Sequence, residues 1–395
     1  MSFKSLLDKY KDGNATAEEI KLIEEELNKH DAIEEYLSES YDIGFEKEPS
    51  REDIQNETSF VQKSVNKRLR KVILASVAIM FSILFTINYI VSPIVSRFYY
   101  NPSEKTVAKY FEDLFFDLRV ITELNLPGYA INSAGSEKLG FGEYNIYFQR
   151  LNLFNRSRKD ISAKIKRNDK IGNWQDFYVS DYLGFWDIRE PNPTPTRDEI
   201  TKMKNKEVIS HIKELNPVSY ISSYILFNED MSVKQLDELI TKYSNKVSFR
   251  WAGVRTESKD KTVYYLSGFN PNSNDGSSTE DSADKNKYPY LQLLDYMADE
   301  ENRSKFNGSM EEAYTKHFIS LLKYMTDREE AVKSLDYNGA KIGYYKNALN
   351  YVEKNGVNIY GVLVYGEARS LLEFIDNEKM KSIEIEGVLP SKYVN

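Results

Sequence analysis

The chain has 395 residues, no cysteine, three histidines (His30, His211, His317) and a net charge of −8. These counts exclude disulfides, thiol catalysis and thiolate zinc sites, and they leave little for histidine-based metal chemistry, so no metal or cofactor is expected. The charge is uneven: Met1 to Gln62 carries 7 Lys and Arg against 17 Asp and Glu, a balance of −10. Such a segment repels nucleic acid and anionic lipid, and its expected partner is a basic protein surface.

The chain opens with Phe3, Leu6, Leu7 and Tyr10 at helical spacing, ended by Gly13-Asn14. Thr16 and Glu19 form a capping box for a second helix with Ile20, Ile23 and Leu27 on one face. Asp31 and Glu34 suggest the start of a third, bearing Ile33, Tyr36 and Leu37. About 40 residues of short helices bury little apolar surface, and without metal or disulfide such a module calls for a partner. Residues 1–41 are therefore expected to form an all-α binding module. Residues 42–71 read as a tether that passes from acidic to basic, with a polar, weakly periodic stretch from Asp42 to Ser64.

Val72 to Val95 is an almost uninterrupted apolar run. At about 1.5 Å of rise per residue it covers the ~30 Å hydrocarbon core of a bilayer. Lys63, Lys67, Arg68, Arg70 and Lys71 precede it and only Arg97 follows closely, an asymmetry that holds the N-terminus in the cytoplasm. Lys67, Arg68, Arg70 and Lys71 are the expected topology determinants. A cleaved secretory signal does not fit a run that starts at position 72.

Residues 96–190 read as a membrane-proximal outer region. Thr106 to Asn125 is amphipathic, suited either to the membrane surface or, by its mixed charges, to packing on the outer domain. Tyr144 to Leu153 and Gln175 to Ile188 look strand-like, and Pro191, Pro193 and Pro195 mark a linker. Residues 197–395 read as a C-terminal α/β domain. Tyr220 to Phe227, Ser232 to Tyr243 and Val247 to Val254 make strand, helix, strand, and Val357 to Tyr365, Glu367 to Ile375 and Lys381 to Val388 repeat that order. Two such units predict an α+β fold with a ferredoxin-like tendency, interrupted by an Asn/Ser/Asp loop from Asn270 to Asn286 and by helices around Tyr290 to Tyr324 and Ala340 to Lys354.

Several stretches resemble the sigma factor regulator family. They are Leu6-Leu7-Asp8-Lys9-Tyr10-Lys11-Asp12-Gly13, His30-Asp31-Ala32-Ile33-Glu34-Glu35-Tyr36-Leu37, Met231-Ser232-Val233-Lys234-Gln235-Leu236, Trp251-Ala252-Gly253-Val254 and Gly361-Val362-Leu363-Val364-Tyr365-Gly366, in that order around one span. The resemblance implies a membrane-bound anti-sigma factor that restrains an extracytoplasmic-function sigma factor until the envelope is stressed. It departs from zinc-containing anti-sigma domains, whose cysteines are missing here. On this reading Leu6, Leu7, Tyr10, Ile20, Ile23, Leu27, Ile33, Tyr36 and Leu37 face the sigma factor, some of them shared with the module's own packing. A second membrane protein is a further candidate partner. Release by conformational change and release by cutting near the membrane both remain open.

Two other classes compete. A surface enzyme would fit the size of the outer region, but no G-x-S-x-G, H-E-x-x-H or phosphate-binding glycine loop occurs, and Asp299-Glu300-Glu301 reads as a solvated helix face. An outer binding or scaffolding protein with an inert inner tail is the alternative, and it predicts that Ser2 to Gln62 is dispensable.

Overall fold

The computed structural model describes residues 3–39, 51–172, 174, 177, 184–188, 195–261, 263–272, 283–298, 309–336 and 339–392. The chain divides into two compact units, Met1–Ser82 and Ile83–Asn395.

In the first unit, α1 (Phe3–Lys11) ends at Gly13, whose φ of 70° is the left-handed conformation that glycine adopts without steric cost. The predicted capping box starts α2 (Ala17–Glu39): the Glu19 amide donates to Thr16 Oγ1 at 3.3 Å, and the Thr16 amide donates to Glu19 Oε2 at 2.9 Å. Lys9 pairs with Glu19 at 2.9 Å and stitches the two helices. The expected third helix does not start separately. Residues 28–31 contain neither Gly nor Pro, so nothing halts propagation and α2 runs on through Ile33, Tyr36 and Leu37. The expected tether is helical from Arg51 onward, and its residues 42–50 lie outside the described residues.

That helix, α3 (Arg51–Phe85), leads through a π-helical segment (Thr86–Val91) into α4 (Ser92–Ser96). Phe60–Ser96 is long and apolar enough to cross a membrane, with a mean hydropathy of 2.1 in its most apolar window and none of that window buried. The two imperfect residues are accommodated locally. Pro93 cannot donate, and the wider π turns ahead of it absorb the displaced carbonyls. The Asn88 side-chain amide donates to the Leu84 carbonyl at 2.9 Å.

The second unit contains two antiparallel sheets. The first is a meander of β1 (Tyr129–Gly140), β2 (Glu143–Asn152), β3 (Arg158–Lys166) and β4 (Asp169–Ile171). Along β2, Tyr144, Ile146 and Phe148 are buried while Tyr147 is exposed, the period of a strand with one face on a core. Helix α5 (Asp113–Asn125) packs on β1. The predicted amphipathic helix thus starts seven residues later than Thr106, and it packs into the domain: Leu114, Phe115 and Leu118 are core residues. The expected strand from Gln175 to Ile188 lies mostly outside the described residues, and its described end is a 3-10 turn, Trp186–Ile188. Pro191 and Pro193 also lie outside them. Pro195 opens α6 (Pro195–Glu214), the helix position where a missing N–H costs nothing.

The second sheet comprises β5 (Tyr220–Ser232), β6 (Val247–Val254), β7 (Gly268–Phe269), β8 (Asn358–Glu367) and β9 (Met380–Leu389), in the order β7-β6-β8-β5-β9. Helix α7 (Val233–Tyr243) joins β5 to β6, and α12 (Ala368–Asn377) joins β8 to β9. Within β6-β8-β5-β9 every pairing is antiparallel, because each strand-helix-strand unit straddles a strand of the other. This is the split βαβ arrangement of a ferredoxin-like sheet, as the two repeated units predicted. Ser232 caps α7 with a capping box to Gln235. Between β6 and β8 the described residues form β7 and the helices α8 (Leu293–Ala298), α9 (Glu311–Asp327), α10 (Glu329–Leu335) and α11 (Lys341–Asn355). One hydrophobic cluster runs from Leu118, Ile146 and Phe148 to Tyr345, Ile225 and Val362, so regions 96–190 and 197–395 share a core.

Candidate interaction surface and the polar ties of the second unit

The nine apolar residues singled out at the N-terminus fall into distinct environments. Leu6, Leu7 and Ile20 are half-buried, Ile23 is fully buried, and Tyr10, Leu27, Ile33, Tyr36 and Leu37 are exposed. At about 100° per residue, Ile20, Ile23 and Leu27 share one face of α2, while Ile33, Tyr36 and Leu37 are rotated by roughly 120° from it. The turn of the stripe explains why the sequence suggested two helices where one forms. In a continuous helix the second stripe cannot join the face that holds Ile23, and Tyr36 is left 72% exposed. Asp31, Glu34 and Glu35 are exposed on the same helix, turned away from Tyr36. The surface is an apolar stripe on an acidic helix, suited to a basic protein with apolar recesses.

His30, Asp31 and Glu34 place their ligand atoms within 4.8 Å of one another, all exposed, a grouping produced by helical spacing that the sequence reading did not single out. The cations Lys63, Lys67, Arg68, Arg70 and Lys71 are exposed along α3.

In the second unit the sequence reading missed a buried polar network. Asp113 and Asp117, one turn apart on α5, are fully buried. Arg328, at the junction of α9 and α10, grips Asp117 with two donors at 2.9 Å each and reaches Asp113 at 3.1 Å. Tyr100 Oη donates to Asp117 at 2.7 Å, and Tyr324 Oη donates to its other oxygen at 2.8 Å. The Thr106 and Val107 amides donate to Asp113 at 2.8 and 3.0 Å. Burial opposes the Arg328 charge, but the Asp117 carboxylate outweighs it and raises the pKa further above the usual arginine value. Burial first, and then Asp117, push the Tyr100 and Tyr324 phenols well up, so both stay protonated donors. No local pattern announces this network, since Arg328 lies 211 residues from Asp117.

A second tie centres on Glu123, which accepts from the Asn270 amide at 3.1 Å and meets His317 Nε2 at 2.8 Å. His317 Nδ1 lies 2.7 Å from the Tyr290 carbonyl. Burial alone raises the Glu123 pKa, but His317 and Arg119 together hold it below the usual carboxylate value.

The last tie fastens the apolar helix itself. The Phe141 amide donates to Ser92 Oγ at 2.9 Å and the Gly142 amide to Ser96 Oγ at 3.1 Å. Both serines are buried. The Tyr100 amide, just beyond, donates to Asn168 Oδ1 at 2.8 Å. The segment that follows the apolar run is therefore bonded into the second unit at Ser92, Ser96, Tyr100, Thr106 and Val107.

Taken together, the molecule is a single-span candidate with an α+β domain behind the span and exposed apolar helices before it. Residues 212–387 match the family described as Sigma factor regulator C-terminal. It is similar to the probable anti-sigma-M factor YhdL of Bacillus subtilis (strain 168), 23% identical over 396 residues that cover 97% of this chain and 96% of that protein. No solved structure matches the chain.

Proposed function

We propose that this chain is a membrane-anchored anti-sigma factor whose N-terminal helices, residues 1–41, sequester an extracytoplasmic-function sigma factor in the cytoplasm, under control of the domain beyond the span. The observation that carries the reading is the exposed Ile33, Tyr36 and Leu37 stripe within an acidic helix. Leaving those three side chains in water forgoes burial worth about 1.5 to 3 kcal/mol per large apolar side chain, which a bound partner recovers. Sigma factors bind DNA and carry basic surfaces, which complement the −10 balance of residues 1–62. Within the module, Ile23 serves internal packing, Leu6, Leu7 and Ile20 are shared, and Tyr10, Leu27, Ile33, Tyr36 and Leu37 face the partner. Lys67, Arg68, Arg70 and Lys71 keep the module on the cytoplasmic side.

For release, the bonded exit from the span favours conformational transmission over cutting. A protease needs several residues of extended, accessible backbone, whereas Ser92 to Val107 is tied down at five residues.

The test is capture from the full chain. The detergent-solubilised protein is expected to retain an extracytoplasmic-function sigma factor of its source cell, and a variant lacking Ser2 to Gln62 is expected to retain none. Equal behaviour of the two, with transcription unchanged by the deletion in cells, would instead establish the scaffold alternative.

A further inference from the structure

The geometry points to a second membrane contact, made by the end of the first sheet: the β1–β2 tip and its neighbours form a foot that rests in the headgroup layer and binds anionic lipid. The position follows from the anchor. Counting about 20 residues of span from Val72, the first apolar residue after Lys71, places the outer edge of the hydrocarbon at Val91. Ser92 and Ser96 then lie at headgroup depth. The two serines are 4% and 3% exposed because the turn Gly140-Phe141-Gly142 covers them, with its amides bonded to both hydroxyls. Ser96 Oγ in turn donates to the Ser92 carbonyl at 2.8 Å. The fit is close: a Cβ on Gly140 would fall 3.0 Å from Ser92 Oγ, and Gly140, Phe141 and Gly142 all have positive φ. The tip thus shares the height of the serines.

The neighbouring β3–β4 turn lies at the same end, since the Arg167 amide donates to the Gly142 carbonyl at 2.7 Å. The surface presented here is what a headgroup layer receives. Phe98 is 75% exposed and Leu139 44% exposed, with Phe141 half-buried between the turns. Arg97, Lys138 and Arg167 are exposed beside them. Of the nearby acids, Glu137 accepts from Asn145 at 2.9 Å and Glu143 is paired with Lys164 and with Lys166, while Asp169 is exposed beyond Arg167. Aromatic and aliphatic groups at the interface with cations reaching phosphate are the pattern of an interfacial contact, and the attraction falls off within a Debye length of the surface. A foot of this kind, bonded to the helix, fixes the height and tilt of the outer unit on the bilayer.

The absence of cysteine makes the test direct. The full chain carrying Leu139→Cys, or separately Phe98→Cys or Tyr264→Cys, is labelled with an environment-sensitive fluorophore and reconstituted in phosphatidylglycerol/phosphatidylethanolamine vesicles. All three positions are exposed, so the fold tolerates them. The expected result is blue-shifted emission at 139 and 98 that a headgroup-proximal doxyl lipid quenches and iodide does not, with the reverse at 264. Emission at 139 and 98 as open to iodide as that at 264, and untouched by doxyl lipid, would overturn the foot. Equal shielding in phosphatidylcholine vesicles would overturn the assignment to anionic lipid. The inference rests on the anchor and the outer unit alone, so its failure leaves the sigma-binding proposal standing.

Discussion

The N-terminal helices and the unit beyond the span stand at opposite ends of self-sufficiency. Among the described residues before Tyr100, Ile23 is the one fully buried hydrophobic, whereas the second unit has a continuous core from Leu118 to Ile383. It also satisfies buried charge internally, through Arg328 on two carboxylates and His317 on Glu123. The N-terminal unit keeps its charges at the surface and its apolar side chains half in water. A region whose burial is incomplete is completed by something else, and a region that is complete is built to be stable first.

The contrast is open to attack at several points, beginning with the largest effect. Arg328→Ala strands two buried carboxylates and is expected to cost the second unit about 3 to 5 kcal/mol of stability. Urea unfolding of the full chain followed by the fluorescence of its tryptophans, all of which lie beyond the span, reads this out. A loss below about 1 kcal/mol would mean that the network is a surface feature, of the kind worth little.

On the other side, Tyr36→Ala touches nothing the fold requires and is expected to leave unfolding unchanged. It removes an anchor for the partner, at about 1 to 3 kcal/mol, or roughly 5- to 150-fold in affinity. Titration with the captured sigma factor measures it, and in cells the same variant is expected to raise sigma-dependent transcription without envelope stress. A destabilised fold with unchanged affinity would reverse the comparison.

Acid should separate the two units as well. The folded Glu123 carboxyl has a lowered pKa, so its contribution is fully present above the unfolded value of about 4.3 and is lost as pH falls through the folded value. The urea midpoint of the second unit is expected to drop over that range, and less so in Glu123→Gln. A drop of equal size in both proteins would assign the acid sensitivity elsewhere.

The smallest effect concerns encounter. Glu24 and Glu25 are exposed, and reversing both to Lys is expected to slow association with the sigma factor and flatten its salt dependence, with little change in dissociation. Stopped-flow binding at two ionic strengths decides this. A change confined to dissociation would place those acids inside the interface.

What the sequence determined by itself is whatever short-range periodicity and composition encode. The span follows from an unbroken apolar run, the Thr16 and Ser232 caps from residues three apart, and the two strand-helix-strand units from a period that changes from two to 3.6. Even the order β6-β8-β5-β9 was reachable, because the handedness of crossover connections leaves few alternatives. The apolar candidates at the N-terminus were legible too, but not their division of labour. Whether Ile23 or Tyr36 turns inward depends on α2 being one helix, and the phase shift between its two stripes matters only once that continuity is set. The tertiary structure alone decided the rest. Asp113, Asp117 and Arg328 look like ordinary surface charges in sequence, as do Glu123 and His317, because the contacts that bury them close loops of about two hundred residues. Ser92 and Ser96, at the end of the apolar run, carry no sequence signal of their own. Only the return of the β1–β2 turn to the same helix gives their hydroxyls partners and ties the anchor to the domain it carries.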